Sequence, residues 1–231
     1  MIKIEPKKIS KYWNKLEKED LYMCPNITLF RLLSINNVKI RNKSILDIGF
    51  GEGQNIIEFY KRGGKVFGIE IRQEKVKKVI HLTKLSKKRF KTADLNIGFP
   101  IFEKKFDIIY SLDTLNYLTS KNRHLTIKSA LNILKKNGYF LFHYPQAQLV
   151  QKKKFDNLDF TINNSKYKKR KTFVPKSNPV IFLTNKYIKN LISSFSKEMK
   201  LISSIFDTGN FSKKDSSSLT INRFLLFKKI N

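Results

Sequence analysis

Cysteine is nearly absent from this chain of 231 residues, since Cys24 is the only one. A single cysteine excludes a disulfide framework and a cysteine-rich metal site, so we predict no bound metal and a reducing environment. No apolar run approaches the roughly 18 residues that are needed to span a bilayer. The first residues also lack the apolar core of a signal peptide. The sequence therefore predicts a cytoplasmic protein without a transmembrane segment.

Acidic residues are also scarce: 18 Asp and Glu stand against 47 Lys and Arg, which gives a net charge of +29. Such a charge suits a polyanionic partner, such as RNA or an anionic membrane surface. However, lysine outnumbers arginine by 39 to 8, and isoleucine, asparagine and phenylalanine are abundant. AT-rich codons encode this residue set, and phosphate recognition would favour the bidentate fork of arginine. A functional charge and a compositional bias both remain open as explanations.

Apolar strands alternate with amphipathic helices along most of the chain. Strands are predicted at residues 43–48, 65–71, 89–92, 106–110 and 139–144, with helices from the glycine turn to Gly63, at 73–85 and at 121–136. Helices at 7–22 and from Pro25 to about residue 33 precede them; a helix at 184–195, capped by Thr184, and strands at 199–206 and 219–228 follow. This alternation predicts an α/β fold with a doubly wound, mainly parallel sheet and helices on both faces. The last two strands lack an intervening helix, so they should form an antiparallel hairpin.

The first predicted strand runs into a glycine-rich turn. Gly49, Gly51 and Gly53 permit a tight turn and a close approach of the backbone to a ligand, because no Cβ intervenes. The following helix directs its free N–H groups at that ligand, and Glu70 ends the next strand, where it can accept hydrogen bonds from ribose hydroxyls. The pattern predicts a nucleoside-binding site. Further polar residues fall at the carboxyl ends of strands, where such sheets bind their ligands: Asp94, Ser111 and His143.

The motif Leu-Asp-Ile-Gly-Phe-Gly-Glu-Gly at residues 46–53 resembles the first motif of the class I S-adenosylmethionine-dependent methyltransferases. Five parallel strands followed by a hairpin are similar to that family's seven-stranded sheet, which implies the strand order 3-2-1-4-5-7-6. Dehydrogenases have a related turn, but their Gly-x-Gly-x-x-Gly fingerprint needs glycine where this chain has Gln54. The resemblance covers residues 43–144 and the closing hairpin. It implies methyl transfer with S-adenosyl-L-methionine as the cofactor.

The resemblance also implies a role for each matching residue. Glu70 should bind both ribose hydroxyls, and Ile71 should pack on the adenine. Asp94 should bind the adenine amino group, with the Leu95 N–H bound to the ring, although Asp94 is also a possible turn cap. Asp47 should hold the glycine loop or the cofactor's amino group, or cap the turn. The remaining cofactor contacts are assigned to Gly49, Phe50, Gly51, Gly53, Gln54, Ser111 and Leu112.

A general base is needed when the methyl acceptor is an oxygen, and less so for an amine or a thiol. Asp113 and His143, which follow the fourth and fifth predicted strands, are the candidate catalytic residues. The alternative for His143 is a packed histidine satisfied by the backbone. The alternative for Asp113 is a cap for a helix that starts at Thr114. The sequence does not decide between these interpretations.

We expect a single methyltransferase domain with four parts: a helical cap at 1–42, the cofactor-binding core at 43–144, a basic insert or lid at 145–182, and a helix with the closing hairpin at 183–231. The motifs of enzymes that methylate nucleobases, Asn/Asp-Pro-Pro-Tyr/Phe and a Pro-Cys nucleophile, are absent after the fourth strand. A small-molecule acceptor is therefore favoured. The alternative is an RNA or protein acceptor bound by lysines 152–154 and 168–171 of the insert. The oligomeric state is left open.

Overall fold

The computed structural model describes residues 24–146, 160–161, 181–182, 185–210 and 219–231. These ranges comprise the predicted core, the last part of the N-terminal cap, and the closing helix and hairpin. The helix predicted at residues 7–22, most of the predicted insert and the predicted helix cap Thr184 lie outside them.

A seven-stranded sheet forms the centre of the fold. Its parallel strands β1 to β5 span Ser44–Ile48, Lys65–Glu70, Phe90–Thr92, Phe106–Ser111 and Leu134–Gln146. A separate short ribbon pairs β6 (Phe160–Thr161) with β7 (Ile181–Phe182). The hairpin of β8 (Met199–Asn210) and β9 (Leu219–Lys229) closes the sheet. The strand order β3-β2-β1-β4-β5-β9-β8, with β9 antiparallel to both of its neighbours, confirms the predicted topology.

The helices α1 to α5 span Ile27–Ile35, Gln54–Lys61, Gln73–Thr83, Ser120–Ile133 and Asn185–Ser194. Helix α1 begins after Asn26 and not at Pro25, because the Asn26 side chain accepts the Leu29 N–H at 2.8 Å and caps the helix. Helix α4 ends three residues before the predicted position 136, because Leu134 already pairs with Phe106 in the sheet.

The buried face of α3 does not include every apolar residue of the helix. Leu82 is 50% exposed, whereas Val76, Val79 and Thr83 are buried. The buried residues recur at intervals of three and four and define one face of the helix, and Leu82 lies to the side of that face. The boundary of a helical face is harder to predict than its centre.

Both faces of the sheet are buried against helices. Helices α4 and α5 cover one face, and α1, α2 and α3 cover the other. Successive residues of β4 alternate between the two faces. Ile108 and Tyr110 belong to the core under α1, α2 and α3, and Ile109 belongs to the core under α4 and α5. Burial on both sides explains why the parallel strands are nearly continuous apolar runs.

The strand register positions the carboxyl ends of three strands together. Asp47 of β1 pairs with Gly68 of β2 on one side and with Tyr110 of β4 on the other. The turns that follow these strands therefore converge on one edge of the sheet, where ligands of such folds bind. No helix in the described ranges combines the length and the apolar character that crossing a bilayer requires.

We expect Gly68→Ala to lower the free energy of unfolding by about 1–3 kcal/mol, the usual cost of overpacking a buried site. A Cβ at this position would lie 2.8 Å from Phe50 Cε1 and 2.9 Å from Ile56 Cδ1. Gly98→Ala is the control, because nothing lies within 4 Å of its Cβ position. Urea denaturation measures both variants, and equal stability of the two would contradict this packing.

Candidate active site

A cavity of about 440 Å³ opens at the carboxyl ends of the parallel strands. The end of β1 and the turn after it contribute five predicted site residues to its lining: Asp47, Gly49, Phe50, Gly51 and Gln54. The ends of β2, β3 and β4 contribute six more: Glu70, Ile71, Asp94, Leu95, Leu112 and Asp113. The structure thus brings most of the predicted residues together around one cleft.

Three predicted residues lie behind the cleft wall. Gly53 is buried, and a Cβ there would overlap the Val79 side chain, so the absence of a side chain lets α2 pack on α3. Its φ of 81° also lies in the left-handed region that favours glycine. Ser111 is fully buried, and its hydroxyl donates to the Ile48 carbonyl at 3.1 Å, which joins β4 to β1. His143 is 3% exposed and does not reach the cleft lining.

The glycine turn is held by backbone hydrogen bonds to the end of β2. The N–H groups of Gly49 and Phe50 both donate to the Ile69 carbonyl, at 2.8 and 3.2 Å. Gly49 has φ 78°, and a Cβ at this residue would overlap the Thr114 side chain. The Thr114 hydroxyl in turn donates to the Gly49 carbonyl at 3.3 Å. The turn is therefore fixed between the loops that follow β2 and β4, and its backbone faces the cleft.

Glu70 is oriented by two backbone N–H groups. Its Oε2 accepts the Gly51 N–H at 2.9 Å, and its Oε1 accepts the Arg72 N–H at 3.2 Å. The residue is 6% exposed and lines the cleft. A carboxylate oxygen accepts two hydrogen bonds, so each oxygen keeps one lone pair for a ligand. This arrangement suits the predicted binding of two vicinal ribose hydroxyls.

Arg72 and Glu52 are cleft residues that the sequence analysis missed. The Arg72 guanidinium is 7% exposed and lies 3.5 Å from Glu70, 3.8 Å from Glu52 and 3.8 Å from Glu74. Burial acts to raise the pKa of Glu52, but hydrogen bonds and charges from Lys75 and Lys78 outweigh it and lower that pKa below its ordinary value. These ion pairs join α3 to the glycine turn. The sequence signal for Arg72 and Glu52 is only that each of them lies next to a predicted site residue.

Asp47 is a buried carboxyl beside the cleft. It is 2% exposed, and its Oδ2 has no hydrogen-bond partner among the described residues. Burial raises the pKa of Asp47 from 3.8 to about 8; the Tyr110 hydroxyl lowers it and the charge of Glu70 raises it further. An acceptor of this kind fits a cationic group. Asp47 is therefore the residue that would hold the positive charge of a bound ligand.

Asp94 caps a turn and also lines the cleft. Its Oδ1 accepts the Asn96 N–H at 2.8 Å, and its carbonyl accepts the N–H groups of Ile97 and Gly98, which makes it a turn cap. It also lines the cleft beside Leu95. A capped turn fixes the orientation of this carboxylate at the position that the resemblance assigns to adenine.

Asp113 and His143 are neighbours with different environments. Asp113 has a left-handed backbone with φ 55°, and its side chain is 70% exposed at the cleft. Its N–H donates to His143 Nδ1 at 3.3 Å, and its Oδ1 lies 3.3 Å from the same nitrogen. The His143 ring stacks on Phe224 at 4.7 Å. His143 is therefore packed and holds the loop that carries Asp113, although its buried Nε2 has no hydrogen-bond partner among the described residues.

The sequence profile of the methyltransferase domain family matches residues 39–194, more than half of the chain. The chain belongs to the methyltransferase domain family. The methyltransferase uses S-adenosyl-L-methionine as its cofactor, as the resemblance implied. The acidic and glycine residues of the cleft fit that cofactor, because they provide hydroxyl acceptors at Glu70 and a buried acceptor for positive charge at Asp47. A comparison with curated proteins finds no match.

Solved methyltransferase structures share this fold. Magnesium protoporphyrin IX methyltransferase from Synechocystis PCC 6803 has a TM-score of 0.61 and 12% identity, over 99% of this chain and 88% of its own. The N-methyltransferase NodS from Bradyrhizobium japonicum WM9 gives 0.61 and 12%, over 97% and 99%. The 1,6-didemethyltoxoflavin-N1-methyltransferase from Burkholderia thailandensis gives 0.64 and 12%, over 98% and 87%. Each of these three structures holds S-adenosylhomocysteine.

We expect Glu70→Gln to weaken S-adenosylmethionine binding about 5- to 150-fold, because the charged acceptor for ribose hydroxyls is lost, at about 1–3 kcal/mol. Glu74→Gln is the matched control, since Glu74 is 47% exposed and is not part of the cleft lining. Isothermal titration calorimetry measures both. Equal affinities in the two variants would contradict the role of Glu70.

We expect the free energy of unfolding of the cofactor-free methyltransferase to fall as the pH rises from about 4 to about 8. The raised pKa of Asp47 means that the folded state binds a proton that the unfolded state releases, so this stabilisation is present at low pH and is lost as the pH passes through the folded-state pKa of about 8. A bound cation favours the ionised carboxylate, so cofactor binding at pH 7 should release a proton.

Calorimetry in buffers with different ionisation enthalpies measures that proton release, and urea denaturation across the pH range measures the stability. Asp47→Asn should remove the proton release and flatten the Asp47 part of the pH profile. Proton release that persists unchanged in Asp47→Asn would show that another group titrates.

Proposed function

We propose that this methyltransferase transfers the methyl group of S-adenosylmethionine to an oxygen or nitrogen of a small molecule that is neutral or positively charged. The observation that carries this proposal is the charge of the cleft. In the described part of the chain, the lining has five carboxyl groups and one cation, Arg72. The acidic residues are Asp47, Glu52, Glu70, Asp94 and Asp113.

Asp47 is protonated at pH 7 in the cofactor-free methyltransferase. Glu70 and Asp94 face the cofactor, so Asp113 is the lining acid that is left to meet the acceptor. A carboxylate there repels a phosphate and suits a neutral or cationic acceptor. Arg72 does not reverse this sign, since it already lies between Glu52, Glu70 and Glu74. The RNA acceptor that the sequence left open gains no support from this lining. The insert lysines 152–154 and 168–171, on which that alternative depended, lie outside the described residues.

The names of two similar structures agree with a small acceptor. One acts on magnesium protoporphyrin IX and another on 1,6-didemethyltoxoflavin, and both acceptors are small molecules. Their low identity of 12% limits this support to the fold and gives no acceptor for this chain.

Methyl transfer is an in-line displacement in which the cofactor supplies the activated methyl group. The protein positions the acceptor and excludes water. Asp113 is the cleft carboxylate at the end of β4, and it serves as the base for an acceptor hydroxyl. His143 acts as a positioning residue, because its Nδ1 holds the Asp113 N–H and thereby the left-handed backbone of the loop.

Labelled methyl transfer tests the proposal. The methyltransferase is incubated with methyl-labelled S-adenosylmethionine and cell extract, and the products are separated by ultrafiltration before mass spectrometry. We expect the label in the low-molecular-weight fraction, on a compound whose net charge is zero or positive. Label retained in RNA or protein, and lost on nuclease or protease treatment, would overturn the small-molecule acceptor.

The same assay tests Asp113. For a hydroxyl acceptor we expect Asp113→Asn to lower kcat by about 100-fold or more, the usual contribution of a general base, without a change in cofactor affinity. Glu103→Gln, which changes an exposed acid outside the cleft lining, should leave kcat unchanged. A full kcat in Asp113→Asn on a hydroxyl acceptor would contradict the assignment of the base.

A further inference from the structure

The edge of the sheet opposite the cleft carries a row of basic residues. A cation lies within one residue of the start of each of the five parallel strands. These residues are Lys43, Lys65, Arg89, Lys105 and Lys135. Parallel strands begin at the same edge and lie about 4.8 Å apart, so the five cations form a continuous line. We call this line, together with Lys104 and Lys136, the amino-edge surface.

Like charges are crowded on the amino-edge surface. The pKa of Lys104 is lowered by burial and then by the charges of Arg89, Lys135 and Lys65. Asp107 is the acid among them, and it is already occupied: Lys135 lies 3.0 Å away, Lys43 lies 3.8 Å away and the Ser44 N–H donates to it at 2.8 Å. A groove of about 310 Å³ runs beside Asp107 and is lined by four lysines, Lys39, Lys43, Lys135 and Lys136.

Acidic and basic residues are separated along the strand direction. The carboxyl edge gathers five acidic residues into one cleft, and the amino edge gathers seven cations. A compositional excess of lysine raises the charge of every surface alike and does not by itself separate the signs. The crowding at the amino edge is therefore a surface that attracts anionic partners.

Exposed isoleucines stand around the amino-edge surface. Ile35 is 58% exposed at the end of α1, two residues before the groove residue Asn37. Ile101 is 84% exposed, just before Lys104 and β4. Ile230 is 40% exposed and follows Lys229, whose ammonium reaches the carbonyls of Leu131 and Leu134 at the end of α4.

We propose that the amino-edge surface binds an anionic lipid bilayer, with the phosphate headgroups against the lysines and the isoleucines in the interface. Lysines near an anionic leaflet and aliphatic side chains that enter the headgroup region are the two components of such binding. Phe67 at this edge is covered by Lys104 and Arg89 at 4.3 and 5.2 Å, so it is not a stacking platform for bases, and Tyr139 in the groove is half-buried.

Vesicle co-sedimentation of the full chain tests this proposal. We expect binding to vesicles that contain phosphatidylserine, little binding to phosphatidylcholine alone, and a decrease with salt. The triple variant K65Q/K105Q/K136Q, which leaves both lysine partners of Asp107 in place, should weaken binding at least tenfold. K77Q/K128Q/K189Q removes the same charge from exposed positions within α3, α4 and α5 and should have a much smaller effect.

A matched pair of isoleucine variants separates the contribution of apolar insertion into the bilayer from the contribution of charge. Ile101→Ser should weaken vesicle binding, and Ile97→Ser should not, although Ile97 is 86% exposed in the same loop, because it lies next to the cleft residue Asn96. Equal effects of the two triple variants, or of the two isoleucine variants, would overturn the proposal. So would tighter binding to a labelled oligonucleotide that is lost in K65Q/K105Q/K136Q, which would assign the surface to nucleic acid.

Discussion

The hydrogen bonds between the glycine turn and the end of β2 determine the geometry of the whole site. The Ile69 carbonyl accepts two N–H groups of the turn, and Glu70 accepts a third from Gly51. These bonds require a backbone in the left-handed region, with Gly49 packed against Thr114 where no Cβ fits. The turn thereby fixes the Glu70 carboxylate on one side and the loop after β4 on the other. The contacts of the glycine turn therefore position both the cofactor site and the loop after β4 that carries Asp113.

The acidic cleft is the second consequence of that geometry. Bringing Asp47 and Glu70 to one wall places two carboxyl groups close enough that the charge of Glu70 raises the pKa of Asp47. Glu70 and Glu52 are compensated by Arg72, and Glu52 also by Lys75 and Lys78, whereas the buried Asp47 Oδ2 has no hydrogen-bond partner among the described residues. The cleft therefore holds a buried acceptor, next to the Tyr110 hydroxyl, that is available to a ligand, and a positively charged ligand suits it best.

The sequence predicted the strands because their signals were local and strong, and the resemblance to the methyltransferases implied their order. Apolar runs ending at polar or glycine residues marked each strand, and the absence of a helix before the last strand marked the hairpin. The site was predicted in part, since residues at strand ends must converge in a parallel sheet. Ser111 ends β4, but its hydroxyl is directed at β1. His143 was expected at a strand end, but β5 continues to Gln146, so His143 lies inside the strand and behind the Asp113 loop. Arg72 was missed because its role depends on ion pairs between α3 and the turn, which no spacing in the chain reveals.

The opposite charges of the two sheet edges, acidic at the cleft and basic at the amino edge, follow in part from the helix dipoles. Helices α2, α3 and α4 run back from the cleft, so their positive ends face the acidic cleft and their negative ends face the amino edge. Lys105 and Lys229 show this directly, because their ammonium groups bind carbonyls of Asn132, Leu131 and Leu134 at the end of α4. A helix end binds only a few such cations, however, and Lys43 and Lys135 are directed at Asp107 instead. Within the described ranges, the exposed Lys65 and Lys136 have neither kind of contact, so dipole compensation explains the sign of this edge but not its excess of charge.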